Sequence, residues 1–364
     1  MKAEILILFC ICAPVSKAVH AQTAPDTAVT ISYGAFIDNY YAFDFSEPAN
    51  FDRAFTTQAV RHDEFNVNLA FIEAKLSAPR LRGRLALQAG TSVQSNYSGE
   101  PSIGGVSGPS LARHIQEAVA GYRLTPTLWV DAGIFFSHIG MESFISRDNL
   151  TYTRSLSAEF TPYYESGAKL TWQQSPRLTA VFAVVNGWQN ISENNKDKAV
   201  GLRLDFAGNA ATTVSYYNFI GKENATRNLR ILNGVGLKAN LGKTVTLQAN
   251  GDYGVQNSDR PGNSTWYSAG VTAKVQPNSK LGVSGRVETY HDRDQVIIVT
   301  GTDAGFRGTT ASLGVDISPL GSTRAMWRNE VRGTWTRDPV FPRRSDSTLA
   351  KDNYLAVTSL AITF

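Results

Sequence analysis

Two charged triplets are the residues best spaced to do chemistry in this chain: Arg286-Val287-Glu288 and Arg328-Asn329-Glu330. Arg332 extends the second, and Asp316 lies between the two in sequence. In each triplet the charges stand two residues apart, so on a strand they share one face and the middle residue takes the other. Such a face can knit into a salt-bridged wall, because a buried charge must be paired. It can equally line a water-filled passage and orient ionic solutes. Both readings stay open at this level.

Catalytic readings fare worse. Gly234-Val235-Gly236-Leu237-Lys238-Ala239 fits the dinucleotide fingerprint in letters. That fingerprint needs a strand before it and a helix after it, whereas here it sits inside one alternating run. No Walker A sequence and no G-x-S-x-G elbow occur. Beyond residue 21 the histidines are His62, His114, His138 and His291, with no pair at helical zinc spacing. His291, with Thr289 on the same outward side, is the one foothold for a membrane-facing hydrolase, and a lone interfacial histidine is usually structural. The expectation is a protein that is not an enzyme and carries no metal or cofactor.

The elements that must position these charges are strands. Val245, Leu247, Ala249, Gly251, Tyr253 and Val255 alternate with Thr244, Thr246, Gln248, Asn250, Asp252 and Gly254. This two-residue period recurs at 84–93, 128–137, 163–173, 178–187, 198–206, 210–220, 228–241, 265–275, 280–291, 306–317 and 323–335. With weaker runs at 65–78 and 112–124 and one strand at each end, the count is about sixteen. Short Pro-, Gly- and Asn-rich turns alternate with longer loops such as 46–63, 94–111, 138–162 and 336–352. Short turns on one rim and long loops on the other describe an antiparallel outer-membrane β-barrel with its short turns in the periplasm.

Charge position supports this. Lys169, Arg203, Asp205, Arg230, Lys238, Asp252, Lys274, Arg286, Glu288, Asp316, Arg328, Glu330 and Arg332 all take the parity opposite to the apolar face, and all of them but Lys274 make the expected pore-lining set. The apolar face carries many Ala, Gly and Thr, and Tyr41, Phe43, Phe45, Phe136, Trp172, Tyr253, Trp335 and Phe364 gather near strand ends as interfacial girdles would. A soluble sandwich would also alternate, but with a bulkier core face and turns that do not sort by rim. Two strands break parity. In 65–78, Val67 and Leu69 oppose Ile72, Ala74 and Leu76, which a bulge near Ala70 would reconcile. In 112–124 the upper half is ambiguous.

The ends of the chain agree with a barrel. Residues 1–21 read as a secretory signal peptide, with Lys2, an apolar run from Ile5 to Ala13 and Val19-His20-Ala21 at the cleavage site. Both cysteines, Cys10 and Cys12, fall in it, so the mature chain, 22–364, would hold no disulfide or thiolate site. In the last strand Tyr354, Ala356, Thr358, Leu360, Ile362 and Phe364 share a face, and the terminal aromatic has the form of an outer-membrane assembly signal. A net charge of +4 without basic runs gives nucleic-acid binding no support. A mean hydropathy of -0.19 is no obstacle, since barrel strands show lipid only alternate residues.

The stretches Ile31–Phe45 (ISYGAFIDNYYAFDF), Phe136–Ser143 (FSHIGMES), Asn149–Pro162, Val184–Ile191 (VVNGWQNI) and Arg286–Asp292 (RVETYHD) resemble the OmpL-like β-barrel porin family. The resemblance covers most of the mature chain and implies an outer-membrane barrel that passes small solutes, with no catalytic residues carried over. The reading is a single-domain barrel in the cell outer membrane acting as a passive pore, since barrels of this strand number usually leave an aqueous lumen. Its partners would be outer-membrane lipid, the barrel insertion machinery and small solutes, with a homo-oligomer left open. A closed barrel serving as a structural anchor is the alternative. Residues 138–162 are expected to fold inward and narrow the lumen, with Glu142, Arg147, Asp148, Arg154 and Glu159 facing the solute and apolar neighbours pinning the loop, although a solvated outer cap stays open.

The terminal aromatic generates the first prediction. Deleting Phe364 is expected to impair insertion far more than synthesis, measured as surface-exposed yield against total chain. Normal surface yield of the truncated chain would refute it.

Overall fold

The computed structural model describes residues 28–223, 227–257, 262–344 and 348–364. The expected signal peptide lies outside them. Sixteen strands close one antiparallel barrel. They are β1 (Thr30–Asp44), β2 (Phe65–Ser77), β3 (Leu81–Ala89), β4 (Ile115–Thr125), β5 (Leu128–Phe136), β6 (Tyr164–Ser175), β7 (Leu178–Val185) and β8 (Ala199–Asn209). The circuit continues with β9 (Thr212–Glu223), β10 (Asn228–Leu241), β11 (Val245–Asn257), β12 (Asn263–Asn278), β13 (Leu281–Asp292), β14 (Phe306–Ile317) and β15 (Ala325–Thr336). A two-residue ladder in the last long loop, β16 (Phe341–Pro342) with β17 (Leu349–Ala350), stands apart from it. The last strand, β18 (Asp352–Thr363), closes the ring by pairing with both β15 and β1.

The turns from β2 to β3, β4 to β5 and onward at every second connection are short, and the intervening loops are mostly longer, the connections from β9 to β10 and from β11 to β12 being the short exceptions. This is the rim asymmetry expected from sequence. Alternation fixes the faces: on β18, Tyr354, Leu360 and Ile362 are exposed outward while Leu355, Val357, Ser359 and Ala361 are buried inward. The two parity breaks resolve as bulges. On β2 the extra residue is Asn68, between the pairs Asp38–Leu69 and Asn39–Val67, two positions from Ala70. On β4 it is Gln116, between Ala86–Glu117 and Leu87–Ile115. A bulge puts two consecutive residues on one face, so Asn68 and Leu69 are both buried, as are Gln116 and Glu117.

The core of this barrel is its lumen, and the long loops fill the extracellular half of it. Phe135, Leu156, Tyr217, Phe219, Trp266, Tyr290 and Phe306 form one buried cluster. Phe36, Leu69, Tyr97, Phe144, Tyr163 and Tyr164 form a second. The loop after β3 carries a short helix, α1 (Thr91–Asn96), and lays Tyr97 on Tyr164 with ring centroids 4.1 Å apart. Phe136 corrects the girdle reading: it lies 6.1 Å from Phe144 of the inserted β5–β6 loop rather than joining the outer belt. Toward the periplasm the inward side chains are less covered.

Outward faces meet hydrocarbon, so charge there is costly. Val287 lies outward in the middle of β13 and is 59% exposed. Val287→Arg is expected to lower barrel stability by about 2–4 kcal/mol in bilayers, read from denaturant unfolding, whereas an inward polar swap should cost far less.

Candidate functional site

The loop joining β5 and β6, residues 137–163, enters the lumen and crosses it. It has little regular structure: a 3-10 turn at Ser146–Asp148 and one helical turn, α2 (Leu156–Glu159), whose first N–H groups are capped by Ser155 through Ala158 N at 3.2 Å. A short segment, Pro109–Ala112, is helical in the preceding loop but makes no part of this site.

His138 anchors the entrance. Its Nδ1 lies 2.9 Å from Glu165 Oε2 and its Nε2 lies 2.7 Å from the Asn218 carbonyl. Two acceptors on one ring ask both nitrogens to donate. Burial works against that charge, yet the adjacent Glu165 carboxylate outweighs it and raises the His138 pKa. Arg203 then donates to the His138 and Gly140 carbonyls at 3.0 and 2.8 Å. The wall beneath the loop is glycine for a steric reason. A Cβ at Gly201 would sit 2.0 Å from the His138 ring, and one at Gly236 would sit 2.2 Å from Met141 Sδ. Gly236 belongs to the hexapeptide that mimics a dinucleotide fingerprint, and close passage of the loop is what that glycine permits.

Beyond Met141 the loop backbone is held by charges of the far wall. Arg286 donates to the Thr151 hydroxyl and the Thr153 carbonyl at 2.7 Å each, and to Thr153 Oγ1 at 2.8 Å. Arg328 reaches the carbonyls of Ser146, Asn149 and Leu150 at 2.5, 3.2 and 3.2 Å. Arg332 takes the Arg154 carbonyl at 2.9 Å. Carboxylates take the donors: Glu330 accepts from Thr153 N at 2.8 Å and Thr153 Oγ1 at 2.6 Å, and Glu288 accepts from Leu156 N at 2.6 Å. Asp38 accepts from Ser146 Oγ at 2.7 Å, and Asp252 accepts from Ser157 Oγ. The wall groups also pair with one another, Arg328 with Asp316 at 2.9 Å and Arg332 and Arg286 with Glu288 at 3.2 Å.

Three groupings of the anticipated site residues emerge. Arg230, Asp252, Arg286, Glu288, Asp316, Arg328, Glu330 and Arg332 face inward as expected but are buried, most of them under the loop, so they do not line open water. Lys169, Arg203, Asp205 and Lys238 face inward and retain exposure. Among the loop charges the expected arrangement is inverted. Arg154 is wholly buried, 3.9 Å from the Tyr163 ring centroid and 4.7 Å from that of Phe144, and donates to Thr57 Oγ1 at 2.7 Å. Glu159 accepts from Thr56 and Thr57 of the first long loop, tying the two loops together. Glu142 accepts from Ser155 N at 2.9 Å; burial raises its pKa, and the Arg286 charge pulls it partway back. Only Arg147 and Asp148 keep side chains partly open, and Arg147 donates to Thr363 Oγ1. The inversion follows from backbone chemistry: a buried irregular loop needs partners for its own N–H and C=O groups, and the wall charges supply them.

The sequence reading missed a second set of inward charges: Glu73 and Lys75 on β2, Arg82 and Arg84 on β3, Arg123 on β4 and Asp131 on β5. The bulges at Asn68 and Gln116 hid the parity of β2 and β4. Inward-parity glycines on β8 to β10 were a usable signal that something fills the lumen there. His291, the hydrolase foothold, stacks on Tyr267 with centroids 4.7 Å apart and contacts Thr289 Oγ1 at 3.0 Å.

Comparison with known proteins gives one family and a set of similar folds. The family described as "Putative beta-barrel porin-2, OmpL-like" matches residues 30–364. The anion-selective porin from Comamonas acidovorans has a similar fold, with a TM-score of 0.60, 10% identity, and coverage of 93% of this chain and 100% of that one. The outer membrane channel DcaP of Acinetobacter baumannii gives a TM-score of 0.61 at 12% identity, covering 92% and 97%. OmpT of Vibrio cholerae, in a trimer form, gives 0.60 at 8% identity, covering 93% and 100%. At these identities the likeness shows the fold. No curated protein sequence matches the chain.

Removing one partner of a buried ion pair typically costs about 3–5 kcal/mol. Glu330→Ala leaves Arg286 and the Thr153 N–H short of an acceptor, and the expected outcome is release of the loop rather than loss of the barrel. A cysteine at Ala158→Cys reports this by thiol labelling: slow in the parent background and about a hundredfold faster with Glu330→Ala. Equal labelling rates would show that the clamp does not hold the loop.

Proposed function

The chain belongs to the OmpL-like β-barrel porin family of the outer membrane, and from that premise we propose that it acts as a passive diffusion pore whose narrow section is rimmed by the clamped loop. The observation that carries this reading is the contrast between the two halves of the lumen. The extracellular half is occupied by loops with their polar groups satisfied. In the periplasmic half, inward side chains still meet water, Lys75 with 50% and Arg82 with 38% of the side chain exposed. Solutes would pass beside the loop, along a polar wall, driven by their own gradient. In this reading the loop is a fixed rim, because many charge-assisted hydrogen bonds hold it at once. Small solutes fit such a route better than polymers, since loop and wall are in contact along much of its length.

A second reading, a closed barrel serving as an anchor, draws on how thoroughly the inserted loop is packed. Reconstitution separates the two. The purified protein is expected to give discrete conductance steps in a planar bilayer, and Glu330→Ala to give larger steps as the rim loosens. Arg147→Ala should change the step size at low salt, where a fixed charge acts over the longest range. Arg154→Ala should act like loop release, since that side chain packs the loop on itself. Silence from both parent and Glu330→Ala would favour the anchor.

A further inference from the structure

We propose that the route beside the loop selects small anions over cations; this rests on the channel reading above and names the solute class it would favour. Inward charges of the two signs nearly balance in number around the barrel. They do not balance in accessibility. Asp38, Glu117, Asp131, Glu165, Asp252, Glu288, Asp316 and Glu330 are all buried. Each is taken up by the loop, by an arginine or lysine, or, for Glu165, by His138. The inward carboxylates that keep some exposure are Asp205, with Arg203 2.8 Å from it, and Glu73, which pairs with Lys75 and Arg84.

Along β2 to β10, below the loop, the basic residues are Lys75, Arg82, Arg84, Arg123, Lys169, Arg203 and Lys238. Besides Glu165, which His138 of the loop engages, the carboxylates that face them are four: Glu73, Glu117, Asp131 and Asp205. Glu73 pairs with Lys75 and Arg84, Glu117 with Arg84, Asp131 with Arg82 and Asp205 with Arg203. Seven cations against four carboxylates leave an excess of three, and the unmatched groups can be named. Lys238 is exposed, and its ammonium has no hydrogen bond or ion pair among the described residues. Arg123 donates to the Pro79 carbonyl at 3.2 Å and lies 5.4 Å from the Trp129 ring centroid, with no carboxylate paired to it among the described residues. Lys169 has its ammonium 4.2 Å from the Phe135 ring centroid, while the nearby Asp131 and Glu165 are engaged by Arg82 and His138.

Those three cations stand on three different strands, β4, β6 and β10, so they spread along one side of the passage rather than mark one spot on it. Fixed charges act over a Debye length of about 10 Å at 0.1 M salt, comparable to the half-width of a loop-narrowed pore, so a passing ion feels them throughout. The short turns at the same end carry Arg80, Arg177, Lys243, Lys280 and Arg324 and no Asp or Glu. That extends the positive potential to the mouth, although the turns also meet lipid headgroups, so the test is aimed inside the barrel.

The test is the zero-current potential of the purified protein in a planar bilayer across a gradient of dilute potassium chloride. The expected sign is chloride preference, several-fold over potassium. Lys238→Glu alone should weaken it, and this exposed, unpartnered position leaves the fold undisturbed. Arg123→Gln with Lys169→Gln and Lys238→Gln should bring it close to unity, while Lys238→Arg with Lys169→Arg should preserve it. Potassium preference, no preference, or a preference that survives the charge-removing variants would overturn the proposal while the channel reading stands. Absence of conductance would overturn both.

Discussion

A chain segment without regular structure can lie inside a barrel only if its peptide groups find partners there. That constraint organises this molecule. Each unpaired buried N–H or C=O would cost as much as a lost hydrogen bond, so an inserted loop must bring its own ladder or borrow one. Residues 137–163 borrow it. Arg286, Arg328 and Arg332 cover carbonyls from Ser146 to Arg154, and Glu288 and Glu330 cover the N–H groups of Leu156 and Thr153. Charged wall residues suit this task because their hydrogen bonds are stronger than neutral ones and their mutual pairing holds the donors in place. Neutral side chains in the same positions would satisfy the wall and leave the loop unsupported.

The same constraint explains which features were legible in the sequence. Strand number, rim asymmetry and facing follow from a two-residue period that any reader of residues 244–255 can see. Residues on β13 and β15 were assigned to the lumen on parity alone, and they are there. Their task was not legible, because whether a lumen arginine meets water or a peptide carbonyl depends on a loop more than a hundred residues earlier in the chain. The loop itself was expected to enter the barrel with charges turned to the solute. Arg154 and Glu159 are instead spent on packing, since the solvated face of such a loop is small and its buried face large. Where the parity rule failed, at Asn68 and Gln116, a single extra residue shifted the frame and concealed Glu73 and Lys75 on β2 and Arg123 on β4. Bulges of this kind are invisible to a periodicity count unless both flanks are long.

Electrostatic character likewise emerges only when burial is known. A count of charged residues describes the sequence as balanced, but burial removes carboxylates and cations from the passage unequally. The loop takes up charges of both signs on the far wall, and on the near wall Arg123, Lys169 and Lys238 are left without a carboxylate of their own. Which charges the loop consumes and which it leaves therefore sets the charge that the rest of the lumen presents.

The central claim is that the loop is a fixed rim and not a lid that must open. Ser157 of the loop and Ser268 of β12 both hydrogen-bond the Asp252 carboxylate, so cysteines at these two positions can be joined by a short bis-thiol linker. Single-channel conductance with the linker in place tests the claim most directly. A fixed rim predicts the same unit conductance before and after linking, and loss of conductance on linking, restored when the linker is cleaved, would contradict it.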